Sequence, residues 1–175
     1  MRKFSTKDLT LAAMVAALYA VMGYFGNIFG LTFGPIQFRF AEALTVLPFL
    51  FPATVPGLFA GCLIVNLLSP YGPMDIVVGS AATLLAAIWT SKLNSKWLAP
   101  LPPVICNTLL VGFTIGWAEA NGFTPAFPVA WAWNGFTVGL GELVVCYVLG
   151  LLLLEVMPKA KVFRDLIPER RLAAL

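Results

Sequence analysis

Ionisable and amide side chains that interrupt long apolar stretches are the residues of this chain that could do chemistry. Glu142 is the clearest case, because it lies between VGLG and LVVCYVLGLLLLE with no basic residue within one helical turn. At about 100° per residue, Trp131, Asn134 and Glu142 fall within an arc of about 80° on one helix face. That face could bind a ligand. The alternative is a protonated Glu142 that hydrogen-bonds between helices.

Further polar residues occupy similar positions in the neighbouring apolar stretches. Asn66 and Asn107 are candidates for ligand binding, although an amide that joins two helices is a common alternative. Arg39 and Glu42 are three residues apart, so an internal ion pair that cancels both charges is also open. Trp131 and Trp133 offer flat ring surfaces, or belong to an interfacial aromatic belt. The candidate binding residues are therefore Gln37, Arg39, Glu42, Asn66, Asp75, Asn107, Trp131, Trp133, Asn134 and Glu142.

Several catalytic classes lack their residues in this sequence. There is no histidine, which removes the Ser-His-Asp triad and the histidine-based metal sites. The three cysteines, Cys62, Cys106 and Cys146, are far apart and show no CxxC spacing. No GxxxxGK[ST] phosphate loop occurs, so the chain has no ATPase site of its own. We expect neither an enzyme nor a cofactor or metal in the chain itself.

The composition indicates which elements must position these residues. The 175 residues are 60% hydrophobic and 11% charged, with a mean hydropathy of +0.91, as in an integral membrane protein. Ser5 and Asp8 have capping-box spacing ahead of a first helix that we expect to be retained. A membrane span needs about 20 apolar residues, so one domain of about six spans fills the chain. The expected spans are 9–25, 40–51, 54–68, 73–91, 103–118 and 129–156, followed by a basic tail at 158–175.

The distribution of basic residues predicts the orientation of this all-α bundle. With six spans, ten of the eleven lysines and arginines fall on one side, and Arg39 alone falls on the other. The positive-inside rule then places both termini in the cytoplasm, in a multi-pass protein of a bacterial-type plasma membrane. The basic tail would lie as a surface helix near anionic lipid. A net charge of only +3 gives no indication of nucleic-acid binding.

The first span carries two rows of small residues. Such rows allow another helix to approach closely, either within the protein or from a partner. The rows consist of Ala12, Ala16 and Ala20, and of Ala13 and Ala17.

Four blocks of this sequence resemble a known family. They are GPIQFRFAEALTVLPFLFPATVPGLFAGCLIVNLL, DIVVGSAATLLAA, LPPVICNTLLVG and WNGFTVGLGELVVCYVLG, and they run from about Gly34 to Gly150. They are similar to the queuosine precursor transporter family, QueT, which looks like the substrate-binding S-component of energy-coupling factor (ECF) transporters. The resemblance implies a six-helix S-component bundle. It also implies a 7-deazaguanine cargo taken from outside, such as queuine, prequeuosine base or queuosine.

The same resemblance implies partners. S-components associate with a transmembrane coupling protein and with two cytoplasmic ATPases, which use the ATP. The alanine rows of the first span match the pattern through which such components dock on the coupling protein. Two other functions stay open: a proton-coupled transporter or channel that uses Glu142 and Asp75, and an assembly subunit that binds no small molecule.

Overall fold

The computed structural model describes residues 4–33 and 36–173, and within these ranges it contains helices and no strand. Four helices are long and apolar enough to cross a membrane, by length and composition, and two apolar helices are shorter. The all-α class is therefore confirmed. The helices are α1 Thr6–Ile28, α2 Phe40–Phe49, α3 Pro52–Asn66, α4 Pro73–Thr90, α5 Leu101–Glu119, α6 Phe127–Lys159, α7 Lys161–Arg164 and α8 Glu169–Leu172.

Helix α1 begins with the predicted capping box. The Ser5 hydroxyl accepts from the Asp8 backbone N–H, and the Asp8 carboxylate accepts from the Ser5 N–H. These two bonds satisfy N–H groups that a helix start otherwise leaves unpaired. On its inner side α1 packs closely against α3: a Cβ on Gly57 would lie 2.1 Å from the Ala12 carbonyl oxygen. At Ala12, the close helix contact that small residues allow is therefore made within the chain, with α3.

Helix α2 differs from the expected second span. It is a 3-10 helix of 10 residues with Pro48 inside it, and all but its first residue are buried. At about 2.0 Å per residue it is about 20 Å long, which is less than the thickness of the hydrocarbon core. Pro52, which cannot donate a backbone hydrogen bond, then opens α3. In the part of the chain that the structure describes, there are therefore four helices of spanning length, the shorter apolar helix α3 and the buried helix α2.

Helices α5 and α6 both change their winding beside polar residues. In α5, residues Asn107–Val111 form a π-helical segment. In α6, Val145–Gly150 do the same, starting three residues after Glu142. Single π turns inside α-helices occur often at functional sites.

The basic tail, predicted as a surface helix, contains the two short helices α7 and α8 and packs in part on the bundle. Ile167, between α7 and α8, is buried in a cluster with Val46 and Leu154. Arg171 donates to the carbonyls of Ser91 and Leu93, at the end of α4. One end of the bundle therefore contains the start of α1, the 91–96 loop and the tail. The count of basic residues had placed the same segments on one side. The basic residues Arg2 and Lys3 lie outside the described residues.

Candidate functional site

Seven buried polar residues gather inside the bundle, and we call them the polar cluster. Each is at most 2% exposed. Five of the eight described helices contribute a member, so the cluster exists only in the folded chain. Its members are Gln37 and Arg39 before α2, Glu42 in α2, Asn66 at the end of α3, Asp75 in the first turn of α4, Asn107 in α5 and Glu142 in α6.

Arg39 lies at the centre of the polar cluster. Its Nη2 donates to Asn66 Oδ1 at 2.9 Å, and its Nε lies 3.9 Å from Glu42 Oε1. The Tyr19 hydroxyl, from α1, donates to the same Glu42 oxygen. The ion pair between Arg39 and Glu42 that the sequence left open is therefore present, and Tyr19 completes it. A buried carboxylate needs such partners because its desolvation is costly.

Asp75 is held at the start of α4. The Ser69 hydroxyl donates to its Oδ2 at 2.6 Å, while its own backbone carbonyl accepts from Asn66 Nδ2 at 3.3 Å. Gly79, one turn later on α4, leaves room for both side chains, since a Cβ on it would lie 2.7 Å from Asp75 Oδ1 and 2.9 Å from Asn66 Nδ2. The glycine leaves the space that the carboxylate oxygen occupies.

Glu142 has few partners. The Cys146 thiol, one turn later, donates to its Oε2 at 3.5 Å. Its charged neighbours are Glu42 and Arg39, and the Asn107 amide lies close to its carboxyl group. Gly141, beside it, allows α6 to approach the backbone of Gln37, whose carbonyl oxygen would be 2.2 Å from an added Cβ. Helix α6 thus brings Glu142 to the polar cluster.

The polar cluster is not satisfied by its own contacts. Buried polar groups nearly always find hydrogen-bond partners, and each exception calls for an explanation. Among the described residues, seven buried side-chain atoms have no partner, and all of them belong to this cluster. Five are acceptors and two are donors. They are Gln37 Oε1, Glu42 Oε2, Asp75 Oδ1, Asn107 Oδ1 and Glu142 Oε1, together with Arg39 Nη1 and Asn107 Nδ2.

Three predicted binding residues lie elsewhere. Asn134 donates to Glu119 Oε2 at 2.6 Å, which links α6 to α5. The Trp131 ring stacks on Phe127 with centroids 5.8 Å apart, and its Nε1–H donates to the Leu109 carbonyl. Trp133 is 64% exposed. The common helix face of Trp131, Asn134 and Glu142 spans about 16 Å of α6, which separates the tryptophans from the acid.

Other aromatic residues approach the polar cluster. Arg39 lies over the Phe33 ring, 5.9 Å from its centroid, and Phe33 meets Tyr71 edge-on at 6.5 Å. The Tyr71 hydroxyl is close to Gln37 and to the Asp75 charge. None of Tyr19, Phe33 and Tyr71 is among the predicted binding residues. Their contacts join distant segments of the chain, so no local sequence pattern marked them.

The alanine rows of α1 are divided between two surroundings. Ala12 is buried against α3, and Ala16 and Ala20 are half-buried. The Ala16 carbonyl oxygen would lie 2.8 Å from a Cβ on Gly61 of α3. Ala13 and Ala17 are exposed. Within the described chain, only the Ala13 and Ala17 row faces outward.

A cavity of about 490 Å³ lies at the other end of the bundle. Phe4, Leu11, Phe51 and Leu166 contribute to its lining, between the start of α1 and the tail. None of the unpartnered buried atoms of the described residues borders it. Ser5, Lys7, Asp8 and Asp165 also line this cavity, whereas the unpartnered buried atoms of the described residues belong to the polar cluster.

Comparison with known proteins decides the family. Residues 9–159 match the family described as QueT transporter. The chain belongs to the QueT transporter family. A relative, the queuosine precursor transporter QueT of Lactococcus lactis subsp. cremoris (strain MG1363), is 35% identical over 85 residues. That alignment covers 49% of this chain and 50% of the relative, so it spans about half of either protein. No solved structure was found to match the chain.

Membership of the QueT transporter family agrees with the predicted class. The family is described as one of transporters, which fits the predicted membrane transport protein. The resemblance seen in the four sequence blocks is confirmed over most of the chain.

Proposed function

We propose that this chain is the substrate-binding S-component of an ECF importer, and that it captures a queuosine precursor or related 7-deazaguanine in the polar cluster. The observation that carries the proposal is the set of unpartnered buried atoms, mostly acceptors, in a member of the QueT transporter family. A ligand rich in N–H donors would satisfy them.

The base itself has the required pattern. A 7-deazaguanine presents an N1–H, a 2-amino group and a pyrrole N–H, against few acceptors. A carboxylate can accept the N1–H and the 2-amino group together, and Glu142 is the acid placed for this because its Oε1 is unpartnered. Asn107, beside it, offers both a donor and an acceptor to the neighbouring atoms of the base. Arg39 Nη1 would donate to the carbonyl oxygen.

The exposed Ala13 and Ala17 row of α1 would be the docking surface for the coupling protein. Small side chains let a partner helix approach closely, and both alanines of this row are exposed. Two cytoplasmic ATPases would supply the energy from ATP. The polar cluster would open toward the outside, because Asn66 and Asp75 lie at the ends of α3 and α4 that are remote from the basic loop 91–96.

The test is a binding series on the purified full chain in detergent or nanodiscs. Queuine, prequeuosine base, queuosine and guanine are titrated, with adenine as the matched control because it lacks the N1–H and the 2-amino group. We expect the 7-deazaguanines to bind at least about a hundredfold more tightly than adenine, since a site built for hydrogen bonds rejects analogues that leave it unpaired. Equal binding of adenine, or no binding of any base, would overturn the proposal.

Uptake measurements separate this mechanism from proton coupling through Glu142 and Asp75. In cells that express the chain together with the coupling protein and ATPases, uptake of the bound base should stop when either ATPase is inactivated. Uptake that continues without the ATPases but collapses with the proton gradient would replace the ECF mechanism by the proton-coupled one.

A further inference from the structure

A shallow recess of about 230 Å³ lies where the 91–96 loop meets the last turns of α6, and we call it the lysine recess. Two basic side chains and one acidic side chain line it, together with a fully buried leucine. It shares no residue with the polar cluster. The lining residues are Lys96, Leu154, Glu155, Pro158 and Lys159.

The lysine recess carries an excess of positive charge. Lys96 is half-buried, and its Nζ lies 3.6 Å from Glu155 Oε1. An ion pair that is exposed to this extent contributes little to stability, so another anion can compete for the amine. Lys159 is exposed and has no ion-pair partner among the described residues. The recess therefore offers ammonium donors to an anion.

The apolar surface next to the lysine recess faces away from the bundle. Glu155 follows Leu152 by three residues, so the two side chains are neighbours on α6. Lys159 follows Val156 by the same distance. In a helix long enough to cross a membrane, an exposed apolar row of this kind contacts lipid tails. The row consists of Leu140, Val144, Val148, Leu152 and Val156, all of them exposed.

Trp97 indicates how deep in the membrane the lysine recess lies. Its ring is exposed, and Lys96 Nζ lies over it, 5.4 Å from the ring centroid. Exposed tryptophans favour the level of the lipid headgroups, where the phosphates are. With the predicted orientation, this is the cytoplasmic leaflet, which carries anionic lipids.

We propose that the lysine recess binds the phosphate group of an anionic phospholipid. Lys96 and Lys159 donate to the phosphate oxygens, Trp97 lies beside the glycerol backbone, and the apolar row of α6 contacts the tails. A zwitterionic lipid would bring a cationic group beside two lysines, and the one acid of the recess is already paired with Lys96. The site concerns the surrounding lipid and not the cargo, so it is independent of the function proposed above.

Native mass spectrometry of the purified full chain in mild detergent tests the proposal with equal amounts of phosphatidylglycerol and phosphatidylcholine of identical tails. We expect the wild-type protein to retain phosphatidylglycerol at least about tenfold better. The double variant Lys96→Gln, Lys159→Gln should reduce this preference to about threefold or less. The control, Lys92→Gln with Arg164→Gln, removes the same charge from exposed residues outside the recess and should keep the preference.

Several results would overturn the proposal. Equal retention of both lipids by the wild-type protein excludes the site, and an equal loss in the two double variants shows a diffuse surface charge instead. Retention of phosphatidylethanolamine as strong as that of phosphatidylglycerol would mean that negative charge is not selected. Glycerol phosphate, which has no tails, should not displace the lipid, and displacement would make a soluble phosphate the ligand.

A single variant keeps the test decisive if the double variant does not fold. Lys159 is exposed at the end of α6, so Lys159→Gln should leave the fold intact. We expect it to reduce the preference for phosphatidylglycerol by at least about twofold. An unchanged preference in this variant would overturn the site.

Discussion

Single residues of the polar cluster derive their roles from burial. On a protein surface, water would solvate the Glu142 carboxyl group. Inside an apolar helix, its unpartnered oxygen makes it a strong acceptor for a ligand. In a low-dielectric interior, a hydrogen bond to a charged group is worth about 1.5–3 kcal/mol. The largest single-residue effects on binding are therefore expected at such atoms.

We expect Glu142→Gln to weaken binding of a 7-deazaguanine by about tenfold to three hundredfold, because the amide accepts one N–H and turns a donor toward the other. An analogue without the 2-amino group should lose less. Isothermal titration gives both affinities. The control is Glu155→Gln, further along α6, where the side chain is half exposed and pairs with Lys96 at 3.6 Å. Unchanged binding in a folded Glu142→Gln protein would make Glu142 a packing residue.

Gly79→Ala tests how tightly the side chains of Asp75 and Asn66 are packed against α4. The added methyl group would come within 3 Å of Asp75 Oδ1 and Asn66 Nδ2, so one of these groups must move. We expect at least about tenfold weaker ligand binding, since displaced polar groups lose their hydrogen bonds. Ala81→Gly, on the same helix, is the comparison, and affinities are measured by titration. Full affinity for Gly79→Ala would show that Asp75 adjusts freely.

Helix α1 contributes both to the polar cluster and to the proposed docking surface. Its inner side contacts α3 through Ala12 and reaches Glu42 through Tyr19, while Ala13 and Ala17 face outward. The two alanine rows should consequently respond differently to the same substitution.

Ala12→Leu should lower the thermal stability of the isolated protein, because overpacking a close helix contact costs about 1–3 kcal/mol. Ala13→Leu should leave stability and ligand binding nearly unchanged but reduce copurification of the coupling protein. Thermal melts and pull-downs from cells that express all the components measure these effects. Undiminished copurification with Ala13→Leu would exclude this face as the docking surface.

Two neighbouring arginines of the tail, Arg170 and Arg171, make different contacts and provide a second pair of substitutions to compare. Arg171 donates to two carbonyls at the end of α4 and lies over the Phe49 ring, whereas Arg170 is exposed and contacts Asn94. Arg171→Ala should destabilise the fold by about 1.5–3 kcal/mol, and Arg170→Ala by less than about 1 kcal/mol. Denaturant titration in mild detergent compares them. Equal effects would mean that the tail contributes little to stability.

The distribution of basic residues predicts the orientation of the whole molecule. The structure gathers the 91–96 loop and the tail at one end of the bundle, and the 119–126 turn lies at the other end of α5 and α6. In intact cells, an impermeant maleimide should label Ala126→Cys and not Lys92→Cys. The wild-type protein is the control: Cys62 and Cys146 are buried, and any labelling of the partly exposed Cys106 is measured there and subtracted. The reverse labelling pattern would invert the predicted topology.

The sequence by itself determined the class of this protein, because apolar length, charge sidedness and absent motifs are properties of composition and spacing. It also selected all seven members of the polar cluster, since a polar group in an apolar stretch is costly wherever the chain folds. Only the tertiary structure decided which candidates meet. Helix periodicity placed Asn134 and Trp131 with Glu142, but two residues on one helix face can lie far apart along its axis. Tyr19, Phe33 and Tyr71 join the cluster through contacts between distant segments, which no local pattern encodes.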